Sequence, residues 1–202
     1  MTFSRRCFAV SLPALLAACL AGSGITFGQS APPPPADEAA LRAQIVDRYA
    51  QISAAFRRKD APGMMAFAAP NFQAKVPGGR TLNRAEAQQN LQQNVDALRT
   101  VRENRYTLDK LTRHGGPANV VCNVTEHFNV VFNDSRGEFG ALGKSHALAG
   151  TTTYRDTWKK TNAAPNAEGM ASWQMVRSEM LSTQIRLDGR PYRPSRTRPK
   201  RG

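Results

Sequence analysis

The chain has 202 residues and a formal net charge of +13, but this positive charge is concentrated at its two ends. Arg5 and Arg6 contribute two charges and the segment 189–202 contributes six with no acid, which leaves +5 for the rest. That balance is ordinary for a protein surface and does not indicate nucleic-acid binding. Of the three cysteines only Cys122 lies outside the first 19 residues, so the mature chain has no partner for an internal disulfide.

Residues 1–30 are predicted to form an export signal peptide. They begin with a short basic part, continue with an apolar run from about Phe8 to Ala21, and end in small residues. The apolar run is too short for a typical membrane span. The start also resembles the twin-arginine export motif, in which two arginines precede an apolar core, at Ser4, Arg5, Arg6 and Phe8. We therefore expect an exported protein of the bacterial periplasm.

Two processing sites are compatible with this signal. Leu16 to Cys19 resembles a bacterial lipobox, in which case Cys19 receives lipid and the chain is anchored at the membrane. Alternatively, cleavage falls near Gly28 to Ala31 and releases a soluble protein. Residues 31–36 form a predicted Pro-rich linker, which acts as a stiff tether only in the lipidated form.

Residues 37–188 are predicted to form one domain that begins with helices. Apolar residues at three- and four-residue steps indicate an amphipathic helix capped by Asp37, at Leu41, Ile45, Tyr49, Ile52 and Phe56. Asp60 and Pro62 open a shorter helix, which Pro70 limits, and Phe72 to Val76 alternates as a short strand. Asn83 and Glu86 approximate a capping box for a third helix with a stripe at Ala87, Leu91, Val95 and Leu98.

The remainder of the domain is strand-like. The predicted strands are 106–112, 119–132, 144–160 and 172–185, separated by turn-rich segments. Helices followed by antiparallel strands indicate an α+β fold in which helices cover one face of a curved sheet. The basic segment 189–202 is predicted to be a disordered tail, which either contacts anionic lipid headgroups or only aids solubility.

The order of these elements resembles the nuclear transport factor 2-like (SnoaL-like) superfamily. The resemblance rests on the opening "RYAQISAAFRRKDAPGMMAFAAPNFQAKVPGG" and on the closing hairpin "YRDTWKK…SWQMVRSEML". It implies a cone-shaped arrangement of helices against a strongly curved antiparallel sheet, with a pocket at the open end and often a dimer through the outer sheet face. In ketosteroid isomerase, a member, the proton-moving carboxylate lies on the first short strand. The matching stretch here, Phe72 to Pro77, has no carboxylate, which argues against that chemistry.

Alternation along the strands identifies the candidate site. Glu126 falls in the middle of an apolar strand face. Burial there makes an unpaired charge costly and is expected to raise the pKa of the Glu126 carboxyl group. Tyr154, Asp156 and Trp158 share one strand face, and Arg177 shares the next with Trp173. The candidate ligand-binding residues are Tyr49, Glu126, Tyr154, Asp156, Trp158 and Arg177. The alternative is that Arg177 pairs with acids on the outer face or rim while the aromatic residues only fill the core.

Other reactive residues add little. Cys122 on the apolar face is expected to be a small buried hydrophobe, and His127 on the polar face to be solvated or at a dimer contact. No histidine or cysteine spacing indicates a metal site, and no cofactor is expected.

Three hypotheses for function follow. The first is a noncatalytic, exported module that binds a small, partly apolar molecule, as a homodimer and without nucleic-acid partners. The second is a lyase or isomerase with Glu126 or Asp156 as general base and Tyr154 as donor to an oxyanion. The third is a subunit that docks another protein through its outer sheet face.

Overall fold

The computed structural model describes residues 36–134, 139, 142–161 and 173–192. The predicted signal peptide, the lipidation candidate Cys19, almost all of the linker and the segment 193–202 lie outside the described residues. The helices are α1 (Ala36–Arg57), α2 (Ala61–Met64) and α3 (Arg84–Ala97). The strands are β1 (Ala68–Lys75), β2 (Thr81–Asn83), β3 (Leu98–Arg113), β4 (Asn119–Asn133), β5 (Ser145–Lys160), β6 (Trp173–Leu187) and β7 (Arg190–Tyr192).

The strands form one curved sheet in the order β2-β1-β6-β5-β4-β3, with β7 added beside β6. All pairings are antiparallel except that of β1 with β6, which is parallel, so the sheet is mixed. Bulges or register shifts interrupt the β1–β6, β3–β4 and β5–β6 pairings, and such bulges bend a sheet. The predicted α+β class with helices on one face of a strongly curved sheet is confirmed.

Helix α1 supplies the core that the apolar stripe predicts. Leu41, Ile45, Tyr49 and Ile52 are buried against the inner face of β3, β4 and β5. The largest residue in this core is Trp158, which is fully buried. At the predicted capping box, the Asn83 side chain accepts from the Glu86 amide at 3.0 Å and Glu86 accepts from the Asn83 amide at 2.9 Å.

Several element boundaries differ from the predictions. Helix α1 begins at Ala36, and Asp37 lies in its first turn and forms an ion pair with Arg113 instead of capping. Leu98 belongs to β3, which begins eight residues before the predicted start at Tyr106.

The sheet also continues past the predicted domain end. Asp188 and Gly189 both have positive φ and turn the chain into β7, so the segment from 190 to 192 is a strand rather than part of a disordered tail. An Asp-Gly pair is a strong hairpin signal because both central positions of such a turn need positive φ. Pro191 is tolerated because β7 is a short added strand at the side of β6.

Candidate functional site

Residues paired across the sheet point to the same face and form rows. One row carries Tyr106, Glu126, Thr152 and Thr183, and a second carries Leu108, Val124, Tyr154 and Met180. The next row toward Trp158 carries Leu111, Cys122, Asp156 and Ser178. Because β4 and β5 pair without interruption, the predicted alternation along both strands holds. Glu126, Tyr154, Asp156 and Trp158 therefore share the face on which α1 packs.

Glu126 is a buried carboxylate held by three donors. Its Oε1 accepts hydrogen bonds from Asn104 Nδ2 at 2.7 Å and Tyr106 Oη at 3.1 Å, and its Oε2 accepts from Tyr154 Oη at 3.0 Å. The residue is 8% exposed. Burial raises the pKa of Glu126, and the hydrogen bonds from Asn104, Tyr154 and Tyr106 oppose that rise because they favour the charged form.

Asp156 is more deeply buried and belongs to a chain of hydrogen bonds. Trp158 Nε1 donates to Tyr49 Oη at 3.1 Å, and Tyr49 Oη donates to Asp156 Oδ2 at 2.7 Å. Burial raises the pKa of Asp156 to about 6, although the hydroxyls of Tyr49 and Ser178 lower it, and the charge of Glu126 raises it further. Asp156 therefore keeps its proton to a higher pH than an ordinary aspartate does.

The three tyrosines around these acids remain donors. Burial raises the pKa of each phenol well above its usual value, and the Asp156 or Glu126 carboxylate beside it adds to the rise. The Tyr49 ring stacks on Tyr106 with centroids 5.3 Å apart and meets Trp158 edge-on at 5.5 Å. The result is an aromatic wall whose hydroxyl groups all point at carboxylates.

The expectation that Arg177 joins this cluster is wrong. Arg177 pairs with Thr157, whereas Met175 pairs with Trp158, so Val176 is an extra residue in β6. A bulge of this kind reverses the alternation of side chains after it. Ser178 therefore faces Asp156, and Arg177 is exposed on the opposite side. Within the described part of the chain, no ion pair reaches Glu126 or Asp156.

Asn104 and Tyr106 are site residues that the sequence predictions missed. Both lie on β3, before or at the start of the predicted strand, and they alternate with the buried Leu108. Extending that alternation two residues upstream from Tyr106 would have placed Asn104 on the inner face. The signal was weak because Asn104 is itself polar and residues 102–105 include no apolar side chain to mark the inner face.

Apolar side chains line the inner face beyond Glu126. The next row contains Asn104, Phe128, Gly150 and Ile185, and the row after it contains Val101, Val130, Leu148 and Leu187. Apart from Asn104 and Val130, these residues are only partly buried by the described chain. Two surface depressions that described residues line, each about 390 Å³, lie elsewhere, along α3 and beside β7.

The remaining reactive residues are placed as follows. Cys122 is buried opposite Asp156, and burial, with that neighbouring carboxylate, raises the pKa of its thiol to about 12. His127 is partly buried on the opposite sheet face. The described residues contain no group of side chains suited to hold a metal ion. No helix among them is long and apolar enough to cross a bilayer.

Solved structures of low sequence identity share this architecture. A scytalone dehydratase-like protein from Novosphingobium aromaticivorans superposes with a TM-score of 0.54 at 11% identity, covering 74% of this chain and 89% of its own. The fold is that of the nuclear transport factor 2-like proteins. A ketosteroid isomerase-like protein from Erwinia carotovora gives a TM-score of 0.50 at 13% identity, covering 69% of this chain and 95% of its own.

A conserved protein from Planctomyces limnophilus also gives a TM-score of 0.50, at 17% identity, covering 71% of this chain and 94% of its own. No protein-family model matches the chain, and no curated protein is similar to it in sequence. Within this nuclear transport factor 2-like fold, function has to be argued from the side chains, because one fold hosts many activities.

Proposed function

We propose that the domain binds a small, partly apolar molecule on the inner face of its sheet, with Glu126 as the polar anchor. The observation that carries this proposal is the change in surroundings at Glu126. On one side of it lies the closed core around Trp158, and on the other lie rows of apolar side chains that the described chain covers only in part. Apolar walls with a few converging polar groups are the usual composition of a small-molecule site.

The same proposal assigns the protein to the bacterial periplasm. It rests on the twin-arginine-like start of the sequence, and the Cys19 lipobox makes a membrane anchor the alternative to a soluble form. The proposal also includes contact between the basic segment near the end of the chain and anionic membrane surfaces.

The test is mass spectrometry of small molecules retained by the domain purified from its native host. We expect a retained molecule that is lost from Ile185→Asp, which places a charge in the apolar row beside Phe128. Gln184→Asp is the matched control, because Gln184 is exposed and points to the other face. Both variants are checked for folding by circular dichroism. A wild-type domain that retains nothing, or equal retention by Ile185→Asp, contradicts the proposal.

A second candidate is an enzyme of the lyase or isomerase class, and one observation favours it. The pKa of Asp156 is raised to about 6, close to the range in which a carboxyl group transfers protons efficiently at neutral pH. Glu126, the other candidate base, already accepts three hydrogen bonds, which makes it a weaker base. Asp156 itself is bonded to Tyr49 inside the closed core, away from the partly covered apolar rows, so binding without catalysis is the leading proposal.

A further inference from the structure

We propose that the bound molecule carries a protonated amine, which Glu126 and Asn104 recognise between them. This inference rests on the proposed function, since it assigns a chemical class to the molecule that the inner face binds. Asn104 lies in the same row as Phe128 and Ile185, and its amide bonds Glu126 in the neighbouring row. With its ammonium group at this point, the bound molecule could place its apolar part against the neighbouring apolar rows.

The first argument is an excess of hydrogen-bond acceptors. The Tyr106 and Tyr154 hydroxyls and the Asn104 amide nitrogen all donate to Glu126. Beside Glu126, one buried acceptor has no hydrogen-bond partner: Asn104 Oδ1, on a residue that is 1% exposed. Turning the Asn104 amide over would only place its oxygen against the Glu126 carboxylate. A buried acceptor without a partner is destabilising, so a ligand that brings N–H groups is favoured.

The second argument is uncompensated negative charge. Glu126 and Asp156 are both buried, the charge of Glu126 raises the pKa of Asp156, and no described lysine or arginine pairs with either. Arg177, which the sequence offers as their counter-ion, lies on the opposite face. Two carboxylates that share a buried region repel one another, and a cation placed beside them relieves that repulsion.

The third argument is the aromatic wall. Tyr106 and Tyr154 are only partly buried, and their hydroxyl groups bond the two oxygens of Glu126. Aromatic faces attract ammonium groups because the face of the ring is electron-rich. The same surroundings disfavour a carboxylate or phosphate ligand, which would meet like charge while the Asn104 amide and the Tyr106 and Tyr154 hydroxyls already donate to Glu126. The site therefore discriminates by charge before it discriminates by shape.

The experiment compares probes of similar size and different charge: benzylamine, benzyl alcohol and benzoate. Binding of each to the full domain is measured by ligand-observed NMR at millimolar concentration. We expect benzylamine to bind about tenfold more tightly than benzyl alcohol, a difference of about 1.4 kcal/mol, because a hydrogen bond to a charged group is stronger than one between neutral groups, and we expect benzoate to bind most weakly. Glu126→Gln should abolish this preference, whereas Glu103→Gln, on an exposed acid of the same strand β3, should keep it.

Tyr154→Phe separates recognition from folding. It removes one donor from Glu126 and so frees an acceptor oxygen, which should strengthen the preference for benzylamine over benzyl alcohol; a purely structural role would weaken binding of both alike. Benzyl alcohol or benzoate binding as tightly as benzylamine overturns the inference and leaves the proposed function standing. If none of the three probes binds and no molecule is retained from the host, both fail together.

Discussion

Asp156 is held in the interior by neutral partners alone. Its Oδ2 accepts from Tyr49, which in turn accepts from Trp158, and no described cation offsets its charge. The energetic consequence of this arrangement is that the folded domain binds a proton at Asp156 more tightly than the unfolded chain does. Asp156 therefore couples the stability of the fold to pH.

Asp156→Asn tests this coupling. Because the pKa of Asp156 is raised to about 6 from 3.8, the folded state binds more protons than the unfolded state between those values, so stability falls as pH rises through this window. Wild type should lose roughly 2 kcal/mol of unfolding free energy from this group between pH 4 and pH 7. Asp156→Asn should remove that part of the slope.

Urea unfolding across the pH range measures the effect, and Glu103→Gln serves as the exposed control. Equal slopes for wild type and Asp156→Asn would show that the carboxyl group does not titrate in this window.

The inner residues show what the sequence could and could not predict. Alternation places Glu126, Tyr154, Asp156 and Trp158 on one face because β4 pairs with β5 in unbroken register. The same reasoning fails at Arg177, because a bulge depends on how β6 fits β5 and leaves no pattern in the β6 sequence itself.

At the scale of elements, β5 is sharply constrained where it passes Phe128. Gly150 pairs with Phe128 on one side and with Ile185 on the other. A Cβ atom at Gly150 would lie 2.1 Å from the Gln184 carbonyl oxygen and 3.1 Å from the Phe128 ring. Only glycine lets the backbone of β6 approach this closely, so this position helps to set the curvature of the sheet.

Gly150→Ala is therefore expected to destabilise the domain by about 1–3 kcal/mol, because backbone must shift to admit the methyl group. The loss should appear as a lower urea midpoint. Thr151→Ala, one residue on and facing the other side of β5, should change it by less than about 0.5 kcal/mol. An unchanged midpoint for Gly150→Ala would mean that β6 can move away without cost.

At the scale of the molecule, the sheet has two unlike faces. Helix α1 packs on the face of Val124 and Trp158. The opposite face carries small polar side chains on its central strands, among them Asn123, Thr125 and Thr153. We propose this face as the surface of a homodimer, in line with the resemblance to nuclear transport factor 2-like proteins.

Thr153→Arg tests the proposed dimer. Thr153 lies opposite Thr125 in the sheet, so a long charged side chain there would prevent a second sheet from approaching. Wild type should elute with twice the mass of one chain in size-exclusion chromatography with light scattering, and Thr153→Arg with the mass of one. Ala50→Arg, on an exposed position of α1, should remain dimeric. A monomeric wild type rules the interface out.

The parallel pairing of β1 with β6 joins stretches that are roughly a hundred positions apart in the chain. Helix α1, made first, likewise finds Leu108, Trp158 and Trp173 as its packing partners only in later strands. A fold in which such distant contacts dominate forms slowly, because long loops have to be ordered before the contacts between their ends can stabilise the structure. During synthesis the apolar face of α1 therefore stays uncovered until β6 has been made, and over that interval it can take part in aggregation.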